Sequence, residues 1–225
     1  MSGLTSAGMT AGSIEGAGTI FLGSKNLTVL GRNGQFSGTL RDGGVNGGTG
    51  GSLTVAGGVQ LTLTGNNTYT GATIVSDART LLEVDGFILN SSGVTVNAGA
   101  SLSGTGGVSN IQINSGGFLL PGNTNNPTGT LTSSGNLAFQ SGALYVVTVS
   151  TAAASSVNVN GRASLAGTVQ AVFALGGGNP AHSYTILHAT SGLDGTFANL
   201  QTTNLPPGFT PKLITPKVAS DSTCS

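Results

Sequence analysis

The chain has 225 residues, seven Lys and Arg against seven Asp and Glu, and only 6% charged residues. A zero net charge leaves no electrostatic footprint for nucleic acid, and no basic amphipathic helix is present to lie on a membrane. Hydrophobic residues at 37% argue against disorder, and 39 Gly with only 7 Pro, set between short apolar runs, read as turns rather than as a flexible linker.

The N-terminal residues Met1-Ser2-Gly3-Leu4-Thr5-Ser6 supply no basic start and no apolar run of signal-peptide length. No apolar stretch approaches a membrane helix. Residues 1–18 hold small side chains without a 3.6-residue stripe. Gly16-Ala17-Gly18-Thr19-Ile20-Phe21-Leu22 and the run from Asn26 to Gly44 follow, ending in Gly47-Gly48-Thr49-Gly50-Gly51.

A short phrase then recurs: two apolar residues around one small or polar residue, then Asn or a relative, then Gly, then an apolar residue. It is written Leu53-Thr54-Val55-Ala56-Gly57 before Leu61, and Leu82-Glu83-Val84-Asp85-Gly86 before Leu89. It returns as Val94-Thr95-Val96-Asn97-Ala98-Gly99 before Leu102, and 17 residues later as Ile111-Gln112-Ile113-Asn114-Ser115-Gly116 before Leu119. Looser copies are Leu137-Ala138-Phe139-Gln140-Ser141-Gly142 and Val157-Asn158-Val159-Asn160-Gly161. Alternation of period two places both apolar side chains on one face of a strand. Asn and Gly then turn the chain at low steric cost.

One such unit cannot bury its own apolar face, but stacked units share a core. The pattern predicts an all-β fold, a single-stranded parallel β-helix solenoid. Coils near twenty residues stacked about 4.8 Å apart predict a rod of roughly 40 to 55 Å. Residues 1–122 are expected to form the regular coils, and 123–213 a continuation with longer strands and wider loops. Asn123-Thr124-Asn125-Asn126-Pro127 marks the break, and residues 214–225 are an irregular tail. Thr151-Ala152-Ala153-Ala154-Ser155-Ser156 reads as a loop between strands.

The run from Leu61 to Val75, LTLTGNNTYTGATIV, followed by Leu81-Leu82, resembles the passenger-associated strand repeat of type V bacterial autotransporters, here covering about residues 52–90. Gly116 to Asn123, Gly129 to Phe139, Tyr184-Thr185-Ile186-Leu187 and Gly192-Leu193-Asp194-Gly195-Thr196-Phe197 follow in the order of the C-terminal autochaperone region of such passengers. The resemblance covers most of residues 14–211. It implies a right-handed β-helix that serves as a rigid spacer and folding template at the cell surface or outside the cell. It also implies a partner, an outer-membrane β-barrel of about twelve strands, and possible contact with a host surface or with further copies of the chain. The barrel is absent from this sequence, the tail after Pro211 departs from the family pattern, and a truncated or frameshifted fragment is the expectation. No cofactor is implied.

Catalytic chemistry leaves little trace. His182 and His188 lack companion ligands, Cys224 stands alone, and Gly176-Gly177-Gly178-Asn179-Pro180-Ala181 matches a nucleotide loop only formally, with Pro180 and no helix. The acids are Glu15, Asp42, Asp77, Glu83, Asp85, Asp194 and Asp221. Glu83 and Asp85 share one face of a strand near Arg79 and are the candidates for an alternative, a β-helix glycosidase or polysaccharide lyase. A solvated surface pair is the plainer reading, so no catalytic, cofactor or metal residue is assigned. Thr62 and Thr64 around Leu63 suggest a threonine surface that does not recur in register.

Overall fold

The computed structural model describes residues 1, 3, 5–174 and 183–215. His182, Cys224, residues 176–181 and residues 216–225 of the tail lie outside the described residues. Ile214 and Thr215 carry no strand.

Among the described residues there is no helix, and every strand pairing is parallel. The chain winds through stacked coils with three faces, a parallel β-helix solenoid. The first face is a nine-stranded sheet running from Gly8–Ala11 through Asn26–Val29, Ser52–Val55, Thr73–Val75, Val94–Val96, Ile111–Ile113, Leu137–Phe139 and Ala163–Leu165 to Leu193–Gly195. The second is eight-stranded, from Gly34–Phe36 through Gln60–Leu63, Leu81–Val84, Ser101–Gly104, Phe118–Pro121, Leu144–Val149 and Thr168–Phe173 to Asn199–Thr203. The third holds Phe87–Ile88, Gly107–Val108, Thr130–Ser133, Ser156–Val159 and Leu187–Ala189, preceded by the pair Thr19–Phe21 and Thr39–Arg41.

Alternation sorts the side chains. Leu61, Leu82, Leu102, Leu119, Tyr145 and Val169 follow one another in register along the second face, and all are buried. Val29, Val55, Val75, Val96, Ile113 and Phe139 do the same on the first. One apolar cluster runs from Ile14 to Phe173. Each coil contacts its neighbours, so the core grows by addition rather than around one centre. Eight steps along the first face give a length of about 38 Å, just under the expected range. The shortfall arises because the later coils consume more chain. The spacing is 17 residues from Val94 to Ile111, but 26 from Ile111 to Leu137 and 30 from Ala163 to Leu193.

The recurring phrase marks strands but not faces. Leu53–Val55 and Val94–Val96 lie on the first face, Leu82–Val84 on the second and Val157–Val159 on the third. The residues 123–127 break and the residues 151–156 loop both fall at the corner between the second and third faces. There Gly104 pairs with Gly122, and Val149 with Ala154, in isolated antiparallel bridges.

The same corner is built differently in the earlier coils. Gly18, Gly38, Gly65, Gly86 and Gly106 stand one above another. A Cβ added at any of the last four would collide with the carbonyl oxygen of the glycine before it. The close approach is used: Thr39 N–H donates to Gly18 O, Phe87 N–H to Gly65 O and Gly107 N–H to Gly86 O, at 2.8–3.0 Å. This spine ends at Gly106, and the wide loops begin in the next coil.

The NNTYTGAT run supplies a missing rung. The third coil has no strand on the third face. Asn67, buried, takes its place: its Oδ1 accepts the Leu40 N–H at 2.9 Å, and its Nδ2 donates to Gly65 O at 3.1 Å and Phe87 O at 3.2 Å. The carboxamide thus stands in for main-chain groups between the second and fourth coils. Tyr69 points into the core, where its hydroxyl meets Thr73 Oγ1 at 2.6 Å, and Thr73 meets Ser91 Oγ at 3.0 Å. Burial pushes the Tyr69 hydroxyl far above the usual tyrosine range.

Candidate functional site

Glu83 and Asp85 come together as expected. Leu82 and Val84 face the core, so Glu83 projects outward from Leu81–Val84, and Asp85 follows on the same side just past the strand end. In register, Glu83 lies between Thr62 of the preceding coil and Ser103 of the next. Its carboxyl is pushed above the usual carboxylate range, first by burial and then by the neighbouring Asp85 charge and a hydrogen bond to it. Thr62 offsets part of this.

Asp85 is committed elsewhere. Its Oδ1 accepts the Thr105 N–H and the Thr105 hydroxyl, both at 3.1 Å, and Asn123 Nδ2 at 2.8 Å. Asn123 Oδ1 in turn accepts the N–H groups of Asn125 at 3.0 Å and Asn126 at 2.7 Å, folding the Gly122–Gly129 loop into a turn. Ser103 beneath this loop is only 6% exposed, and its hydroxyl has no partner among the described residues. Such an unmet hydroxyl costs about 1–3 kcal/mol.

Other acids serve the coil stack. Asp42 accepts Gly51 N–H at 2.9 Å and Gly50 N–H at 3.1 Å, and the Thr70 hydroxyl at 2.6 Å, which pins the Gly-rich loop to the coil below it. Asp77, with φ 71°, accepts the Gly57 N–H at 2.9 Å. Glu15 accepts the Ser13 hydroxyl. Asp194 pairs with Arg162 at 2.7 Å, both half exposed, and such a pair adds little stability. Arg79 sits in the corner turn before the Glu83 strand with φ 68°. His188 is exposed on the third face, level with Asn158. Among the described residues no three His, Cys, Asp or Glu side chains converge as a metal-binding group.

Thr62 and Thr64 form no extended row, but threonines recur in register elsewhere. Thr10, Thr28 and Thr54 stand level on the first face, before Ile74 interrupts them. Asn26 ties this row together, donating to Thr28 Oγ1 and accepting from Ser52 and Thr54 at 2.9–3.2 Å.

Two hollows among the described residues are notable. A polar groove of about 570 Å³ lies above the acid pair, lined by Glu15, Asn33, Gln35, Ser37, Gln60 and Thr62. An apolar cavity of about 390 Å³ lies inside the last coils, among Val149, Phe173, Tyr184, Leu200, Phe209 and Leu213. Sequence reasoning missed Thr105, Asn123 and Ser103 as neighbours of the acid pair. The only advance signal was the coil period, which places Ser103 twenty residues after Glu83. No protein-family model matches the chain, and no curated protein matches its sequence.

Proposed function

We propose that this chain is a structural segment of an autotransporter-like passenger, a rigid β-helical spacer and folding template for surface display. The observation that supports this reading best is how the chain spends its polar groups. Asp42, Asp77 and Asn67 bind main-chain groups of neighbouring coils, and Asp85 binds Thr105 of the next coil and the Asn123 loop beyond it. Polar side chains used in this way hold coils in register rather than wait for a substrate. A non-catalytic role for the acid pair is supported by Asp85 Oδ1, which already accepts three hydrogen bonds.

The test places the chain between an N-terminal epitope and a C-terminal outer-membrane barrel, behind an export signal, in a Gram-negative host. Protease-sensitive display of the epitope is expected for the parent. Val96→Asp and Ile113→Asp bury an unpaired carboxylate in the core and are expected to reduce display strongly. Equal display by the parent and both variants would remove the template role.

A further inference from the structure

We propose that the niche made by Glu83, Asp85 and Ser103 on the second face binds a hard divalent cation of the calcium class. This goes beyond the spacer reading and does not depend on it. Three observations carry the inference. Two carboxyl groups lie two residues apart on the outward side of one coil, and the only ion pair among the described residues is Arg162–Asp194, so no basic side chain pairs with either. The Ser103 hydroxyl, directly across the ladder from Glu83 and turned to the same side, is buried and unpartnered. The Asn123 loop anchors on Asp85 Oδ1 and folds beside Gly104, the residue after Ser103.

The ligand chemistry follows from the atoms. Carboxylate and hydroxyl oxygens suit calcium, whereas zinc prefers imidazole nitrogen and thiolate sulfur, and the niche of Glu83, Asp85 and Ser103 offers neither. Magnesium demands a strict octahedron and sheds water reluctantly, so an open set of side-chain oxygens completed by water favours the larger ion. With only two carboxylates, the expected affinity lies in the weak range of about 0.1–1 mM. A bound cation would neutralise the charge that Glu83 and Asp85 place on each other and would give Ser103 Oγ a partner. It would also join the coil of Glu83 to the coil of Ser103, so binding reports as stability.

The test is thermal unfolding of chelator-treated protein, followed by circular dichroism, with CaCl2 or MgCl2 up to about 10 mM at constant ionic strength. The expected result is a saturable rise of several degrees with CaCl2, a smaller one with MgCl2, none for Glu83→Gln and a reduced one for Ser103→Ala. Glu83→Gln without calcium is expected to melt no lower than the parent, which separates loss of binding from loss of fold. A parent that melts alike with and without CaCl2 overturns the site. So does a Glu83→Gln variant that keeps the full rise.

Discussion

Asn123 donates from Nδ2 to Oδ1 of Asp85, 38 residues earlier, at 2.8 Å, and so holds a wide loop against a coil two turns before it. That contact joins the regular coils to the part of the rod with a broader cross-section. Asn123→Ala removes it and also the acceptor for Asn125 and Asn126 N–H. The expected loss is about 1–3 kcal/mol in urea unfolding, without loss of the strand signal. An unchanged midpoint would mean that the loop is not anchored through Asp85.

Asn67→Ala is expected to cost about 1–3 kcal/mol, because it strands the buried Leu40 N–H, whereas Phe87 O and Gly65 O keep main-chain donors. Asn66, its exposed neighbour, is the control, and Asn66→Ala is expected to stay within about 0.5 kcal/mol of the parent. If the two variants unfold alike, the carboxamide does not replace a rung.

Gly86→Ala places a methyl group against the Gly65 carbonyl, a main-chain atom that cannot move aside cheaply. Strong destabilisation is expected, with hydrogen exchange accelerated at Phe87 and at the Gly107 N–H that bonds to Gly86 O. Gly12→Ala meets nothing within 4 Å and should be neutral in the same assay.

Glu83 gives a pH signature. Its folded carboxyl holds its proton more tightly than the unfolded one, whose reference value is 4.5. Between 4.5 and the raised folded value the native state binds the extra proton, so stability falls as pH rises through that window. Glu83→Gln removes the penalty. In calcium-free buffer the variant should melt above the parent at neutral pH, and the difference should disappear below pH 4.5. A difference that grows on acidification would reverse the assignment.

The solenoid was legible because its inward residues alternate and its turns carry Asn and Gly. Assignment to faces was not, since the third face uses strands as short as Phe87–Ile88 and Gly107–Val108, too brief to show a period. The contact between Glu83 and Asp85 was visible because alternation alone puts residues i and i+2 on one side. Thr105 and Asn123 were hidden, because their approach depends on where the coil closes and how the next loop folds back. The threonine row was sought around Leu63, whereas Thr10, Thr28 and Thr54 align only once unequal coil lengths of 18 and 26 residues are known.

The glycine column from Gly18 to Gly106 also governs how such a rod can change over generations. While the column lasts, an inserted residue at that edge would force a side chain into space that holds only backbone, so insertions there are expected to be costly. Past Gly106 the edge is released, and this chain carries its wider loops there. Grafting a peptide into the Gly122–Gly129 loop is therefore the mild operation, and the same graft beside Gly65 is the ruinous one.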